Sequence, residues 1–280
     1  MQNQSIQVGS LNWFYRESEP VNANAKPPVV LLHGLVCQSY GWRKVMPPLT
    51  EQGFRCLAPD WIGSGKSDWP EKRDFAYTPD AYVQALGDWL DALELAQVSL
   101  VVQGFLGSVG LQYALRNCDR IHRIAILNAP IHSEARVPFK LQQMGWPVVG
   151  DMMTQDPLLV DRTLEGGGGY VVTEEDLGVY RKPFLTSSAA GRALKATINN
   201  LNLAQATAEI SQGLASWEKP VLLVWGSRDP WLPLEQARSM VKTLPDGKLE
   251  ELEEVGHYPQ QDWPEKVSSA LLPFLRFKDI

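Results

Sequence analysis

Short runs of Val, Leu and Ile alternate along the chain with stretches in which apolar residues recur at helical spacing. This alternation is typical of a mainly parallel sheet with helices on both faces. We predict an edge strand at Ile6–Arg16 and further strands at Pro28–Leu32, Arg55–Ala58, Val98–Gln103, Arg123–Leu127, Val221–Trp225 and Lys248–Leu252. We predict helices at Ser39–Gln52, Pro79–Leu93, Leu106–Asn117, Leu234–Thr243 and Pro264–Phe277.

The alternation breaks between about Ile131 and Trp217, and it resumes with the apolar run at residues 220–225. The interrupted region contains helix-like segments, several prolines and four consecutive glycines at residues 166–169. We therefore predict a helical cap, residues 131–216, inserted into one core domain made of residues 1–130 and 217–280. The four glycines fit either the hinge of a lid or a plain flexible loop.

The composition is that of an ordinary globular protein, with 44% hydrophobic and 21% charged residues among 280. A formal net charge of −6 argues against nucleic acid or an anionic membrane as a partner. The sequence shows no secretory signal pattern and no apolar run near the roughly 20 residues that span a bilayer. Cys37, Cys56 and Cys118 are scattered and odd in number, which fits reduced thiols. We expect a cytoplasmic protein without a metal or a cofactor.

The turn at residues 101–107, Val-Val-Gln-Gly-Phe-Leu-Gly, lies where a predicted strand passes into a predicted helix. Many enzymes built on such a sheet carry their catalytic nucleophile on this sharp turn. The residue at that point is Gly104, which has no side chain to form a covalent intermediate. The sequence therefore predicts a vacated nucleophile position.

Two further residues follow strands near the carboxyl end of the chain. Asp229 comes just after the strand Val221–Trp225, and His257 lies in the loop after the next strand. The order of turn, acid and histidine is that of a catalytic triad on this architecture. The carboxylate would hold one imidazole nitrogen and leave the other facing the pocket as a base.

The backbone N–H groups of Leu35 and Phe105 are the predicted oxyanion hole. Leu35 lies in the loop after the strand that ends at His33-Gly34, and Phe105 follows the vacated position. We expect His33 itself to be structural. Gly65-Lys66-Ser67 looks like the end of a phosphate-binding loop, but Asp60 stands where that motif needs glycine and no helix follows, so we exclude nucleotide binding.

Together these segments resemble the α/β-hydrolase superfamily, and within it the haloalkane dehalogenase and epoxide hydrolase branch. The resemblance covers nearly the whole chain and rests on His33-Gly34, the segment at residues 60–67, Gly226-Ser227-Arg228-Asp229 and Gly256-His257. It implies an eight-stranded sheet with a helical cap over the active site. It also implies an Asp nucleophile in the sequence Val-Val-Gln-Asp-Trp-Gly-Gly, whose ester a histidine-activated water hydrolyses.

The family pattern aligns without a gap on both sides of the turn, at residues 90–102 and 113–121, and both sides place the nucleophile at Gly104. A frame shifted by one residue would place Phe105 there. Gly107-Ser108-Val109-Gly110 leaves a third frame open, with Ser108 as the nucleophile of a Gly-x-Ser-x-Gly-like motif. Using Ser108 would shorten the following helix by about a turn.

The resemblance to dehalogenases implies two donors for the leaving halide, an Asn after His-Gly and a Trp after the nucleophile. This chain has Leu35 and Phe105 instead, and their side chains have no N–H to donate. Dehalogenation is therefore not expected. The cap contains Tyr170 and Tyr180, whose hydroxyls could polarise an oxygen of a bound substrate. The alternative is that both tyrosines have surface or packing roles.

Three hypotheses follow. The first is a hydrolase-like or lyase-like enzyme in which His257, oriented by Asp229, activates water or removes a proton from a small, largely apolar substrate under the cap. Leu35 and Phe105 would then stabilise the oxyanion. The second is a catalytically silent protein that binds such a molecule. The third is a serine esterase that uses Ser108.

Overall fold

The computed structural model describes residues 1–22, 26–156 and 158–276. Its eight strands are β1 (Gln2–Val8), β2 (Leu11–Ser18), β3 (Val29–Leu32), β4 (Cys56–Pro59), β5 (Val98–Gln103), β6 (Ile121–Leu127), β7 (Val221–Gly226) and β8 (Gly247–Leu252). They form one sheet in the order β1-β2-β4-β3-β5-β6-β7-β8. The pairs β1–β2 and β2–β4 are antiparallel and the other neighbours are parallel. The predicted mainly parallel, eight-stranded sheet is confirmed.

The central strands are buried on both faces, which explains why they read as continuous apolar runs. In β3, Val30 and Leu32 join one hydrophobic cluster, whereas Val29 and Leu31 join the other. Successive side chains of a strand point to opposite faces, so the two clusters are the two sides of the sheet. Helices cover both sides.

Those helices are α1 (Met46–Glu51), α2 (Pro79–Ala92), α3 (Gly107–Arg116), α4 (Phe139–Met144), α5 (Val149–Gln155), α6 (Leu159–Gly167), α7 (Glu174–Thr186), α8 (Ser188–Asn200), α9 (Leu203–Ala215), α10 (Leu234–Val241), α11 (Pro259–Asp262) and α12 (Pro264–Arg276). Short 3-10 turns lie at Ser39–Trp42 and Cys118–Arg120. The predicted end of the last helix at Phe277, and the end of the predicted core domain, lie outside the described residues.

The start of the chain differs from the prediction of one edge strand at Ile6–Arg16. It is a hairpin in which β1 pairs with β2 and Val8 faces Leu11 across a two-residue turn. Gly9 has a φ of +58°, which suits the tight turn because glycine has no Cβ. A Gly-Ser turn inside an otherwise strand-like pattern is easily overlooked.

The predicted helix at Ser39–Gln52 is also wrong in part, because it is two elements. A 3-10 turn covers Ser39–Trp42, and α1 begins only at Met46 with prolines in its first turn. Proline lacks an N–H and fits a helix only near its start, so residues 47 and 48 require a new helix to begin there.

Helices α4–α9 are inserted between β6 and β7, in the region predicted as a cap. The last of them, α9, packs against α3 of the core: Glu209 accepts hydrogen bonds from Arg116 Nε and Gln112 Nε2, each at 2.7 Å. The contacts favour a cap that ends before α9. The division at residues 131–216 stays a prediction.

Candidate active site

The turn from β5 into α3 is built around Gly104, which has a φ of +68°. Its N–H donates to Leu127 O at 3.2 Å, and its carbonyl accepts from Gly107 N at 2.9 Å. Residues with a Cβ are strained in this left-handed conformation, whereas glycine is not. The sharp strand-to-helix turn predicted from the sequence is therefore present, with Gly104 at its apex.

Asp229 and His257 meet at the carboxyl edge of the sheet, after β7 and β8. Asp229 Oδ2 lies 2.8 Å from His257 Nδ1, and the two side chains are 0% and 1% exposed. The other carboxylate oxygen accepts from the N–H groups of Trp231 (2.8 Å) and Leu232 (3.1 Å). This network fixes the imidazole with Nδ1–H toward the carboxylate, and it leaves Nε2 free to act as a base.

His257 Nε2 faces the apex of the turn. A Cβ built on Gly104 would lie 3.3 Å from that nitrogen and 3.0 Å from Gly34 Cα. A side chain at residue 104 would therefore start directly beside the imidazole. The structure brings Gly104, His257 and Asp229 together as the sequence predicted, with no reactive atom at the apex.

Asn128 supports the pair, although the sequence analysis gave it no role. It follows β6 with a φ of +41°. Its Nδ2 donates to Asp229 Oδ2 at 2.8 Å, and its Oδ1 accepts from Gly226 N at 2.9 Å. The sequence signal for this role is that Asn128 directly follows β6, the parallel neighbour of β7 in the sheet.

Gln103 is a second residue that sequence analysis left without a role. It is fully buried. Its Nε2 donates to the carbonyl of His257 at 2.8 Å, and its Oε1 accepts from Gly34 N at 3.1 Å. One amide thus ties the histidine loop to the loop after β3. A polar residue at the buried end of β5 was the signal for it.

Leu35 and Phe105 are the residues next to the two glycines that approach each other here, Gly34 and Gly104. Both side chains are buried. Among the residues that the structure describes, neither backbone N–H has a hydrogen-bond acceptor. Both donors are therefore available to a bound molecule.

Aromatic rings surround the imidazole of His257. Phe105 stacks on it, with centroids 5.2 Å apart and an interplanar angle of 25°. The rings of Trp231 and Tyr258 lie 4.7 and 5.0 Å away. Burial raises the pKa of Tyr258 well above its ordinary value, so its hydroxyl stays protonated. The walls of the site are largely apolar, as suits an apolar ligand.

The four glycines at residues 166–169 lie against the histidine loop. The N–H of His257 donates to Gly167 O at 2.6 Å. Asp262 Oδ2 accepts from Gly169 N at 2.6 Å and from Gly256 N at 2.8 Å. Burial raises the pKa of Asp262. Residues 166 and 167 end α6, so the prediction of a plain loop holds only for the last two glycines, and the run contacts the candidate base.

Ser108 lies in the first turn of α3, away from this pair. Its hydroxyl donates to Phe105 O at 2.8 Å and is buried. No hydrogen bond joins Ser108 to His257 in the described part of the chain. The structure therefore does not bring Ser108 together with the predicted base.

The remaining predicted residues have structural surroundings. His33 Nδ1 donates to Gly34 O at 2.8 Å and Nε2 accepts from Trp61 N at 3.1 Å, while burial lowers its pKa. Tyr180 is buried and donates to Gln261 Oε1 at 3.0 Å. Tyr170 is 44% exposed. None of these side chains contacts His257 through a hydrogen bond.

Two general properties bear on the site. Over residues 1–22, 26–156 and 158–276, no helix is long and apolar enough to cross a membrane. In the same residues, no group of three or more His, Cys, Asp and Glu side chains is placed to hold a metal ion.

Comparison with known proteins gives the family. Residues 27–167 match the model of the α/β-hydrolase fold family. The chain is 29% identical over 272 residues to a haloalkane dehalogenase of Mycolicibacterium paratuberculosis, covering 94% of this chain and 87% of the relative. It is 30% identical over 256 residues to haloalkane dehalogenase 1 of Mycobacterium bovis, covering 88% and 83%.

Solved structures agree. The haloalkane dehalogenase DbeA from Bradyrhizobium elkani superimposes with a TM-score of 0.86 and 25% identity, covering 98% of this chain and 97% of that one. Cfl2 from Burkholderia cenocepacia shares the fold, with a TM-score of 0.82 at 19% identity over 98% and 95% of the chains. The chain therefore belongs to the α/β-hydrolase fold family, in the branch of the haloalkane dehalogenases and epoxide hydrolases.

Proposed function

We propose that this protein is an enzyme that uses His257, oriented by Asp229, as a general base without a covalent nucleophile. The reaction is hydrolase-like or lyase-like, and the substrate is a small, largely apolar molecule bound under the cap. The observation that carries the proposal is the buried 2.8 Å contact between Asp229 Oδ2 and His257 Nδ1, with Nε2 facing Gly104.

The chemistry follows from that orientation. His257 Nε2 takes a proton either from water, which then attacks the substrate, or from the substrate itself. Negative charge that develops on a substrate oxygen is stabilised by the N–H groups of Leu35 and Phe105. Asp229 does not take the proton; it stabilises the imidazolium that forms. No step requires a side chain at residue 104.

Dehalogenation is not part of the proposal, although the relatives are named for it. A leaving halide needs N–H donors, and the side chains of Leu35 and Phe105 have none. Covalent attack also needs a side chain that Gly104 lacks. The halide donors and the nucleophile are both needed for dehalogenation, and this chain lacks both. His257, which can act as a base in other reactions, is present.

Turnover tests the proposal. The protein is screened with panels of esters, epoxides and other small apolar compounds, and product is measured by chromatography. We expect His257→Ala to lose about 100-fold or more of the rate, as removal of a general base does. His122→Ala is the matched control, because His122 lies in the first half of β6, far along the strand from the site. A rate unchanged by His257→Ala rejects the proposal.

A second function, silent ligand binding, is favoured by one specific observation. Phe105 stacks on the face of His257, with a centroid distance of 5.2 Å, so the base is flanked by an apolar wall that suits a bound ligand. A silent binder would show thermal stabilisation by a compound of the panel and form no product. The serine esterase through Ser108 has less support, because its hydroxyl is engaged by Phe105 O. Labelling by a fluorophosphonate that Ser108→Ala abolishes would establish it.

A further inference from the structure

We propose that the space beside Gly104 binds the carboxylate group of a small organic acid. One carboxylate oxygen is held by the N–H groups of Leu35 and Phe105, and the other by His257 Nε2. The inference rests on the proposed function in that it uses the same histidine, and it adds the class of ligand that the site takes.

The space itself results from the missing side chain. The ideal Cβ position at Gly104 lies 3.3 Å from His257 Nε2 and 3.0 Å from Gly34 Cα, both closer than Cβ atoms usually pack. Because residue 104 has no side chain, none of its own atoms stands between the apex of the turn and His257 Nε2. An oxygen of a separate molecule must stay at van der Waals distance from Gly104 Cα, so it lies farther out than a Cβ would, on the side of the turn that His257 Nε2 faces.

The backbone donors point to an anion. The N–H groups of Leu35 and Phe105 have no acceptor among the described residues, and both residues are buried. Buried N–H groups in native proteins are nearly always hydrogen-bonded, so a bound acceptor is expected. Phe105 also precedes α3, a helix of ten residues whose amino end favours negative charge.

His257 supplies the third donor. It is 1% exposed, and its Nε2 has no partner in the described part of the chain, whereas Nδ1 is bonded to Asp229. When a carboxylate binds, the imidazole takes up a proton from solvent and donates it through Nε2. The proton on Nε2 comes from solvent, and no other bond forms or breaks.

The protein's own carboxylates near the imidazole are those of Asp229 and Asp262, and both accept hydrogen bonds from other groups of the protein. Asp229 accepts from Asn128, Trp231 and Leu232 as well as from His257. Asp262 accepts from two backbone N–H groups of the glycine run and the histidine loop. Neither side chain competes for the three free donors.

A carboxylate fits these donors better than a halide does. It offers two oxygens, one for the pair of backbone N–H groups and one for the imidazole. The carboxylate has two sources, a free small acid or the acid group of a larger substrate. In the second case, the apolar tail lies among the rings of Phe105, Trp231 and Tyr258.

The test uses the intact protein with labelled histidines, followed by NMR while sodium formate, acetate or hexanoate is added. We expect a saturable change in the His257 signals with millimolar carboxylate. If the carboxylate belongs to a larger substrate, hexanoate binds about tenfold more tightly than acetate, because its methylenes are buried. Equal affinity identifies a free small acid. Either result supports the site.

Variants at residue 104 locate the binding. Gly104→Asp fills the space with the protein's own carboxylate, and Gly104→Ala fills it with a methyl group, so both lose the response. Gly178→Ala is the control, since a Cβ there meets nothing within 4 Å, and it keeps the response. No response of His257 in the wild type, an equal response to chloride, or an unchanged response in a folded Gly104 variant would overturn the site. Turnover that depends on His257 without this response would reject the carboxylate site and leave the proposed function standing.

Discussion

Gly104 adopts the left-handed backbone conformation that the turn needs, and it does so without the strain that a residue with a reactive side chain would have. Its backbone has a φ of +68°, where residues with a Cβ are strained by about 1 kcal/mol or more. Nucleophiles on such turns tolerate that strain because the chemistry needs their side chain. In this chain the turn is kept, the strain is absent, and the imidazole of His257 faces the backbone of the turn, with no side chain at residue 104.

Restoring a carboxylate tests the position of the turn directly. We expect Gly104→Asp to become alkylated by a primary iodoalkane, because the new side chain starts 3.3 Å from His257 Nε2 on the face where the base acts. Reaction is slow, since neither Leu35 nor Phe105 has a side-chain donor for the halide. Intact-protein mass spectrometry reads the adduct. Wild type is the control, and an adduct on wild type, or none on a folded variant, contradicts this placement.

His33 gives a pH dependence with a defined sign. Burial lowers the pKa of His33 below its ordinary 6.5. The unfolded chain therefore binds a proton that the folded chain does not, so stability is full above about pH 6.5 and decreases as pH falls toward the folded pKa.

We expect His33→Gln to lose less stability than wild type between about pH 7.5 and about pH 5.5. Glutamine keeps a donor and an acceptor but has no proton to take up. Urea unfolding at each pH measures the difference. Parallel losses in the two proteins would show that His33 does not contribute to this dependence.

At the residue scale, the sequence indicated Asp229, His257 and Gly104 because each stands next to a recognisable strand end, and the structure places the three together. Their roles in a reaction stay predictions. The sequence did not predict Asn128 or Gln103. Their roles depend on the order of strands in the sheet, which brings β6 beside β7 and the end of β5 beside the histidine loop. That order is a tertiary property.

At the scale of elements, the end of α6 is joined to the loop that carries His257. Gly167 ends the helix and accepts the N–H of His257, and a Cβ there would lie 2.5 Å from the ring of Trp231. Glycine at residue 167 is required for this close approach of backbone to ring. Gly166, one residue earlier, has nothing within 4 Å of its Cβ position.

These neighbouring glycines make a matched pair. We expect Gly166→Ala to stabilise the protein by roughly 0.5–1 kcal/mol, because alanine favours the helix. Gly167→Ala should destabilise it by about 1–3 kcal/mol through overpacking against Trp231. Denaturant unfolding gives both values. Equal effects of the two substitutions would mean that the close packing over the histidine loop is absent.

The strands were predicted to within two residues for β3–β8, because apolar runs flanked by turns fix their positions. The errors fall where a local turn interrupts a pattern. Gly9 divides the predicted edge strand, and the prolines after Met46 divide the predicted helix. The glycine run read as a loop or a hinge, since a contact with a loop 90 residues away leaves no local pattern.

At the scale of the whole molecule, the insertion is bound to the core by a partly buried polar cluster. Asp176 of α7 pairs with Arg43 of the core and accepts from Tyr40 Oη at 2.8 Å. Burial alone raises the pKa of Asp176, but the hydrogen bond from Tyr40 and the charge of Arg43 lower it overall. The pair therefore stabilises the fold above the ordinary Asp pKa of about 3.9 and is lost as pH falls through the lowered value.

Removing the negative charge of Asp176 should weaken the attachment of α7 to the core. We expect Asp176→Asn to cost about 1–2 kcal/mol, because the partly buried Arg43 loses its charged partner and keeps only its hydrogen bonds to Tyr40 O and Gln261 Oε1. Faster hydrogen exchange should be confined to α7 and its neighbours, while β5–β7 stay protected. Glu175→Gln, an exposed neighbour on the same helix, is the control. Uniform exchange changes across the sheet would contradict a local role for this contact.

In the proposed reaction, no side chain of the protein forms a covalent bond to the substrate. Intact-protein mass spectrometry on acid-quenched samples, taken while wild type forms product in the substrate screen, tests it most directly. We expect the unmodified mass of the chain throughout, together with loss of product formation in His257→Ala. A covalent adduct that forms and decays with turnover, and that disappears in Ser108→Ala, would contradict it.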